Sequence, residues 1–343
     1  MDHFSPMNNE ELCEEAHDVA SSLILRCALI LNVVCALVAV PLIILVIRAT
    51  LAHKLVHHNV KWILVFHLCC LVTHDIFRIA NHIWDLVVFF QKTPNDCNLY
   101  PRNRCLAIRV PINVTIYLAY TTTFVMSIER CFATWKLNSY GQNKIVGPVL
   151  VLVQIIAAAV CMFIILNDTA ETEVMPYCLL TSLSSSALIF GPISVLLSLQ
   201  IVAVIVFEVL MRINRKKSQR LLHGRSPQVS DGVISRLYQV RENLRTMKTL
   251  MLFFLLSCIN SFFYNCLRGF VHLNKPKFAR STFYALIEVS IHLPQYSLLL
   301  PAVLWYSYRK VAKNAAARHQ EKLDRDAPEN TKLHFNMITE SWK

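Results

Sequence analysis

The chain has 343 residues, 55% of them hydrophobic and only 16% charged, with 34 lysines and arginines against 22 acids and a net charge of +12. A water-soluble chain carries about a quarter of its residues as charges, so the deficit points to surface that faces lipid. A disordered chain, a coiled coil and a small disulfide-stapled secreted module are excluded on the same figures.

Seven apolar stretches approach the roughly 20 residues that cross a bilayer. They lie at about 23–47, 62–90, 106–128, 145–166, 187–211, 249–271 and 282–306. Each is continuous and long, without the alternation of an outer-membrane barrel, so the backbone is satisfied internally as helix. The predicted fold is an all-α membrane protein: a bundle of seven transmembrane helices over 23–306, with an N-terminal tail at 1–22 and a C-terminal tail at 307–343.

Charge placement orients this bundle, because cytoplasmic loops retain Lys and Arg. Residues 1–22 carry six acids (Asp2, Glu10, Glu11, Glu14, Glu15, Asp18) and no Lys or Arg, and 167–186 carries three acids and no base. Both stretches read as outside. The stretches 48–61, 129–144 and 212–248, with the tail from 307, hold 24 of the 34 basic residues and read as inside. The N-terminus is therefore expected outside and the C-terminus inside. The basic excess is topological and implies no nucleic-acid partner. No basic n-region precedes the first span, so that helix is expected to act as an insertion signal that is retained.

The second span carries His67, His74, Asp75, Arg78, His82 and Asp85. At about 100° per residue these fall within one stripe of roughly 100°. A charge facing lipid at mid-bilayer costs about 3 kcal/mol, so the stripe must point into the bundle. Asp75 and Arg78, at i and i+3, are the expected ion pair. Structural packing, a ligand or switch role and a metal site compete for this stripe. A zinc hydrolase would need histidines converging from other spans, and the seventh offers only His292, so neither an enzyme nor a bound metal or other cofactor is expected.

Eight of the 12 cysteines lie in or beside spans as small apolar residues, and Cys13, Cys97, Cys105 and Cys178 fall on the outer, oxidising side. Four cysteines allow three pairings. Cys105 with Cys178 is favoured, tying the top of the third helix to the second outer loop and leaving Cys13 and Cys97 for a second bridge. Unpaired or metal-binding thiols are the alternative. Asn167-Asp168-Thr169 is a glycosylation sequon beside the membrane, whereas Asn113-Val114-Thr115 is expected to be buried.

The third helix ends inside with Glu129-Arg130-Cys131. Arg130 lies 25 residues after Cys105, about 38 Å along a helix, which places the two at opposite interfaces. This pattern resembles rhodopsin-like receptors, in which an acid-Arg-aromatic triplet closes the cytoplasmic face at rest and the arginine meets a G protein. Cysteine stands here in place of the aromatic residue. The seventh helix reads Leu300-Pro301-Ala302-Val303-Leu304-Trp305-Tyr306 rather than that family's Asn-Pro motif, the sixth has no proline between Phe253 and Phe270, and no lysine in the seventh is available for retinal.

The loop at 212–248 opens with Arg212-Ile213-Asn214-Arg215-Lys216-Lys217 and is expected to break at Gly224, Ser226-Pro227 and Asp231-Gly232. Leu237, Val240, Leu244, Met247 and Met251 then recur at helical spacing, flanked by Arg236, Arg241, Arg245 and Lys248. This predicts a cytoplasmic extension of the sixth helix, suited to coupling or to binding anionic lipid heads. Tyr308 to Lys322 reads as a short helix on the inner surface, and the last twenty residues as disordered.

Four strings, Val19-Ala20-Ser21-Ser22-Leu23, Pro41-Leu42-Ile43-Ile44, His57-His58-Asn59-Val60-Lys61 and Ile128-Glu129-Arg130-Cys131-Phe132-Ala133-Thr134, resemble in their order the nematode serpentine chemoreceptors of class ab and their alpha-class relatives. The resemblance runs from about residue 12 to 312. It implies a seven-helix chemoreceptor in the plasma membrane of a chemosensory neuron and names no ligand; coupling to a heterotrimeric G protein is expected through Glu129 and Arg130, from the rhodopsin-like pattern, and through Arg241 and Arg245 on the extension of the sixth helix. Arg78, His82, Asp85, Arg109, Asn113, Tyr264, Asn265, Arg268, Glu288 and His292 lie in the outer halves of their spans. If these converge they line a cavity with both signs of charge among aromatics, suited to a small-molecule or peptide ligand. Glu288 and His292 are expected to share a helix face at i, i+4. A ligand-gated channel or transporter of seven spans is the alternative.

Overall fold

A computed structural model describes residues 9–52, 57–91, 97, 99–136, 140, 143–167, 174–179, 186–223 and 231–310, and beyond these 312–314, 316, 317 and 320. The elements in chain order are α1 (Asn9–Ser21), α2 (Leu23–Ala52), α3 (His58–Gln91), β1 (Tyr100–Pro101), α4 (Arg102–Trp135), α5 (Val146–Asn167), β2 (Val174–Met175), α6 (Ser186–His223), α7 (Asp231–Leu273), α8 (Arg280–Ser290) and α9 (293–310). A single 3-10 turn, Lys275–Lys277, links α7 to α8.

Among the described residues, six segments are long and apolar enough to cross a membrane: Leu23–Ala52, His58–Gln91, Val146–Asn167, Phe190–Leu222, Arg236–Leu273 and Arg280–Asn314. The remaining expected span, 106–128, lies within α4, which is as long as α3. Threonines and tyrosines dilute its apolarity, and they do so because α4 is a central helix. Thr122, Thr123 and Tyr120 are buried, and α3, α5, α6 and α7 all pack on α4. The outward faces of the other helices carry exposed Leu31, Phe163, Leu255 and Phe263, as a surface turned to hydrocarbon must. The main apolar core runs through α2, α3, α4, α6, α7 and α9, with Phe207 of α6 stacked on Phe254 of α7 at 4.3 Å.

Several boundaries differ from the sequence reading. Helix α6 runs well past the apolar stretch 187–211, since Lys and Arg are good helix formers and nothing stops the helix where the hydrocarbon ends, whereas α7 contains the expected extension of the sixth helix. Asp231-Gly232 opens α7 rather than forming a turn, while Gly224 and Ser226-Pro227 lie outside the described residues. The N-terminal tail is not featureless. Helix α1 buries Ala16, Val19 and Ala20, and Glu15 binds Arg280 and accepts a 2.8 Å hydrogen bond from Tyr284 of α8.

The seventh span, expected to be continuous, is broken. Pro294 has no N–H to donate to the Ser290 carbonyl and its ring would clash with that carbonyl, so the chain leaves the helix at Ile291–His292 and restarts at 293. After that restart α9 passes Tyr306 without a break and seats Tyr308 against Thr50 of α2 at 2.8 Å, while much of the surface helix expected over Tyr308 to Lys322 lies outside the described residues. The last twenty residues lie outside the described part.

A two-residue antiparallel ladder, Tyr100 opposite Met175 and Pro101 opposite Val174, departs from the all-helical expectation. Beside it Cys105 is bonded to Cys178, and Cys13 to Cys97, with Cα atoms 5.3 and 5.0 Å apart. These bonds fasten β2 and α1 onto one end of the bundle, called here the disulfide end. The opposite end carries Arg130.

At the Arg130 end, Asn59 of α3 donates to the Asn143 carbonyl (2.8 Å) and accepts from the Gly147 N–H (3.2 Å) at the start of α5. A Cβ at residue 147 would stand 2.6 Å from the Asn59 carbonyl oxygen. Backbone cannot yield as a side chain does, so Gly147→Val should separate α3 from α5 at a cost of about 1–3 kcal/mol or more. The expected result is a lower melting temperature for the purified protein; an unchanged melt would contradict this packing.

Candidate functional site

Inside the bundle, the second-span stripe lies on the face of α3 turned to α4 and the seventh span. His67 bonds Tyr296 (3.0 Å) and Thr122 (3.2 Å), and His74 bonds Thr115 (3.1 Å), so the deep histidines are spent on interhelical contacts. Toward the disulfide end the stripe meets Glu288 of α8, which is fully buried. Its Oε2 accepts a hydrogen bond from Arg78 Nη1 at 2.6 Å, and its Oε1 accepts from Arg109 Nη2 at 2.6 Å and from the Tyr177 hydroxyl at 2.9 Å. His82 Nε2 stands 3.7 Å from the same carboxylate.

Arg78 also closes the helix break. Its Nη2 donates to the Ile291 carbonyl at 3.4 Å, and His292 bonds the Ser290 carbonyl (2.8 Å) and the Asn260 carbonyl of α7 (3.1 Å). Backbone acceptors set free by Pro294 are thus filled by side chains, as hydrocarbon surroundings demand.

Two expected pairings are corrected by this arrangement. Arg78 turns to Glu288, 210 residues away, and Asp75 lies fully buried beside Ser297. Glu288 comes within 2.6 Å of the Arg78 guanidinium, so it takes the place expected of Asp75. Glu288 and His292 do not share a face, because the helix breaks between them.

Asp85 accepts from Asn81 (2.9 Å) and lies 3.9 Å from His82. Arg78, His82, Asp85, Arg109 and Glu288 are therefore brought together. Asn113 is half-buried outside this group. Tyr264, Asn265 and Arg268 form a separate group on α7, where Tyr264 packs on Tyr120 of α4 at 4.9 Å between ring centres and Asn265 bonds the Ser261 carbonyl at 2.7 Å.

Tyr177 was not anticipated. It sits next to Cys178, so the bond to Cys105 sets it over Arg109, one turn further along α4. Burial, and then the nearby Glu288 carboxylate, push its phenol well above the ordinary value, so it remains a donor.

At the other end, Arg130 is buried and chelated. Its Nε and Nη2 donate to Glu129 at 2.5 Å each, its Nη1 to Asn243 of α7 at 2.8 Å, and its Nη2 to Tyr140 at 3.1 Å. Asn243 and Asn214 of α6 both donate to the Thr134 hydroxyl (3.1 and 2.8 Å), joining α4, α6 and α7. His57 lies over the Tyr140 ring at 4.4 Å. Burial lowers its pKa to about 4, helped by Arg130 and His58, so it adds no positive charge at neutral pH. Arg241 is exposed and Arg245 half-buried, both outside this network. Asn243 lies between them in sequence, and only its register on α7 marks it out. Asn167 ends α5, while the rest of its sequon lies outside the described residues. Among the described residues no group of three His, Cys, Asp or Glu is placed to hold a metal ion.

Residues 10–343 match the model of the serpentine-type 7TM GPCR class ab chemoreceptors. The chain is similar to serpentine receptor class alpha-39 of Caenorhabditis elegans, 24% identical over 314 residues that cover 86% of this chain and 80% of the relative. It is also similar to serpentine receptor class alpha/beta-14 of the same organism, 26% identical over 166 residues that cover 46% of this chain and 40% of the relative.

Removing one partner of a buried charge network costs about 3–5 kcal/mol because the rest is left unanswered. Glu288→Gln strands two arginines, whereas Asp75→Asn strands none. Thermal unfolding of the purified variants should show the larger loss for Glu288→Gln; equal losses would contradict the pairing.

Proposed function

Because the chain belongs to the serpentine class ab family of seven-transmembrane chemoreceptors, we propose that it is a chemosensory receptor that binds a small extracellular ligand near the disulfide end and activates a heterotrimeric G protein at the Arg130 end. In this reading the N-terminus and both disulfides face outward, the C-terminus lies in the cytosol, and the protein sits in the plasma membrane of a chemosensory neuron. The distribution of lysines and arginines supports the orientation, and disulfides persist on the oxidising side.

One observation carries the reading: two buried charge networks occupy opposite ends of the bundle, α4 reaches both, and α7 runs from Asn243 in one to the separate Arg268 group near the other. Arg109 and Arg130 lie on α4, and Arg268 and Asn243 lie on α7. Arg268 lies 25 residues after Asn243 on one unbroken helix, about 38 Å along it, so a change in how its outer end packs is carried to the inner end. A ligand with higher affinity for the state in which Asn243 has left Arg130 shifts the population toward it.

The broken seventh span favours a second reading, a transporter, since such proteins place interrupted helices at their binding sites. Here, however, the carbonyls at the break are taken by Arg78 and His292, which leaves them unavailable to a permeating ion.

In cells expressing the receptor, the paired change Glu129→Gln with Arg130→Gln removes both charges together. It should leave surface display near normal and abolish ligand-evoked signalling, whereas Asn243→Ala should raise signalling without ligand. Normal signalling from the paired variant would remove the role assigned to Arg130.

A further inference from the structure

Arg268 of α7 is 4% exposed. Of the buried arginines, Arg78 and Arg109 share Glu288, and Arg130 holds Glu129. Among the described residues Arg268 is the one buried arginine with no carboxylate partner, and its Nη1 donates to nothing. The titratable groups around it are Tyr264, whose ring lies 5.7 Å from the guanidinium carbon, and, within electrostatic reach, Tyr117, Tyr120 and His272. Among the described residues the Oδ1 of buried Asn265, one turn from Arg268, is also unfilled.

A guanidinium withdrawn from water and left without a counter-charge is costly, and a bound anion removes that cost. The Glu288 cluster differs, because its charges already answer one another and an incoming ion would have to break a pair. Arg268 offers a free donor over the Tyr264 ring, with Tyr117 and Tyr120 within electrostatic reach. This set suits a planar oxygen anion that carries an apolar body.

We propose that Arg268 is the anion-reading group of the ligand site, and that the ligand is a small organic carboxylate whose apolar part lies along Tyr117, Tyr120 and Tyr264. This rests on the receptor reading above and names the chemistry of its ligand.

The test uses the full chain in phosphatidylcholine nanodiscs and reads melting temperature, so no G protein is involved. The probes are acetate, octanoate, benzoate and phenylacetate, each beside its neutral amide, together with inorganic phosphate. At least one acid should raise the melting temperature while its amide and phosphate do not, and Arg268→Gln should raise the concentration required about tenfold or more, with Arg268→Lys in between. Stabilisation by no acid, equal stabilisation by acid and amide, or equal stabilisation by phosphate would each overturn the proposal. So would loss of the effect when phosphatidylglycerol is added, since the arginine would then be reading lipid phosphate. The comparison of acid with amide on the unaltered chain stands even if the Arg268 variants do not fold. Acid binding without G-protein activation would sink the coupling mechanism alone, and activation by neutral ligands only would sink this inference alone.

Discussion

Inside a lipid bilayer no water answers a charge, so an ionised side chain there must be answered by another part of the same chain or by a bound ligand. Glu288 is where this constraint bears hardest. It binds Arg78 of α3, Arg109 of α4 and Tyr177 of the segment after β2, and so fixes how three helices and a disulfide-tied strand meet. Arg78 then serves twice, pairing with Glu288 and filling a carbonyl released by the helix break. The break is tolerated because Arg78, held by the pair, also fills a carbonyl at the break.

The same rule governs the Arg130 end, with a difference that suits a moving part. Glu288 is held by two permanent cations, but Arg130 is held by one carboxylate from its own helix and by neutral Asn243 and Tyr140 from elsewhere. Bonds between neutral partners and a charge are weaker than ion pairs, so the contact between α4 and α7 at this end is the easier one to release. Rigidity at the disulfide end and a looser clasp at the other are what a receptor reading requires of a lever pinned near one end.

The spans are legible in the sequence because an apolar run of bilayer length suits little besides a membrane helix, and the stripe of Arg78, His82 and Asp85 is legible because helical spacing puts these residues on one face. Their partner is not. Short-range spacing favours Asp75, and nothing in a one-dimensional pattern says that Glu288 approaches from 210 residues away. The break at Ile291–His292 is hidden because Pro294 reads equally well as a kink, and the spans hold several other prolines. Tyr177, Tyr140 and Glu15 lie in stretches that read as loops or tail, where identity alone does not reveal packing. Asn243 is within reach of the sequence, since it lies on the predicted extension of the sixth helix, but a search for charge passes over a neutral amide. Arg268 stands in the sequence as one of ten candidates; only the pairing of the other buried arginines singles it out.

The assignment of a sensing end and a signalling end depends on which way the bundle faces. Epitopes fused ahead of Met1 and after Lys343 can be stained with antibody on intact and on permeabilised cells. The account predicts that the first is stained on intact cells and the second only after permeabilisation. Staining in the opposite order would turn the Glu288 network toward the cytosol and contradict the account.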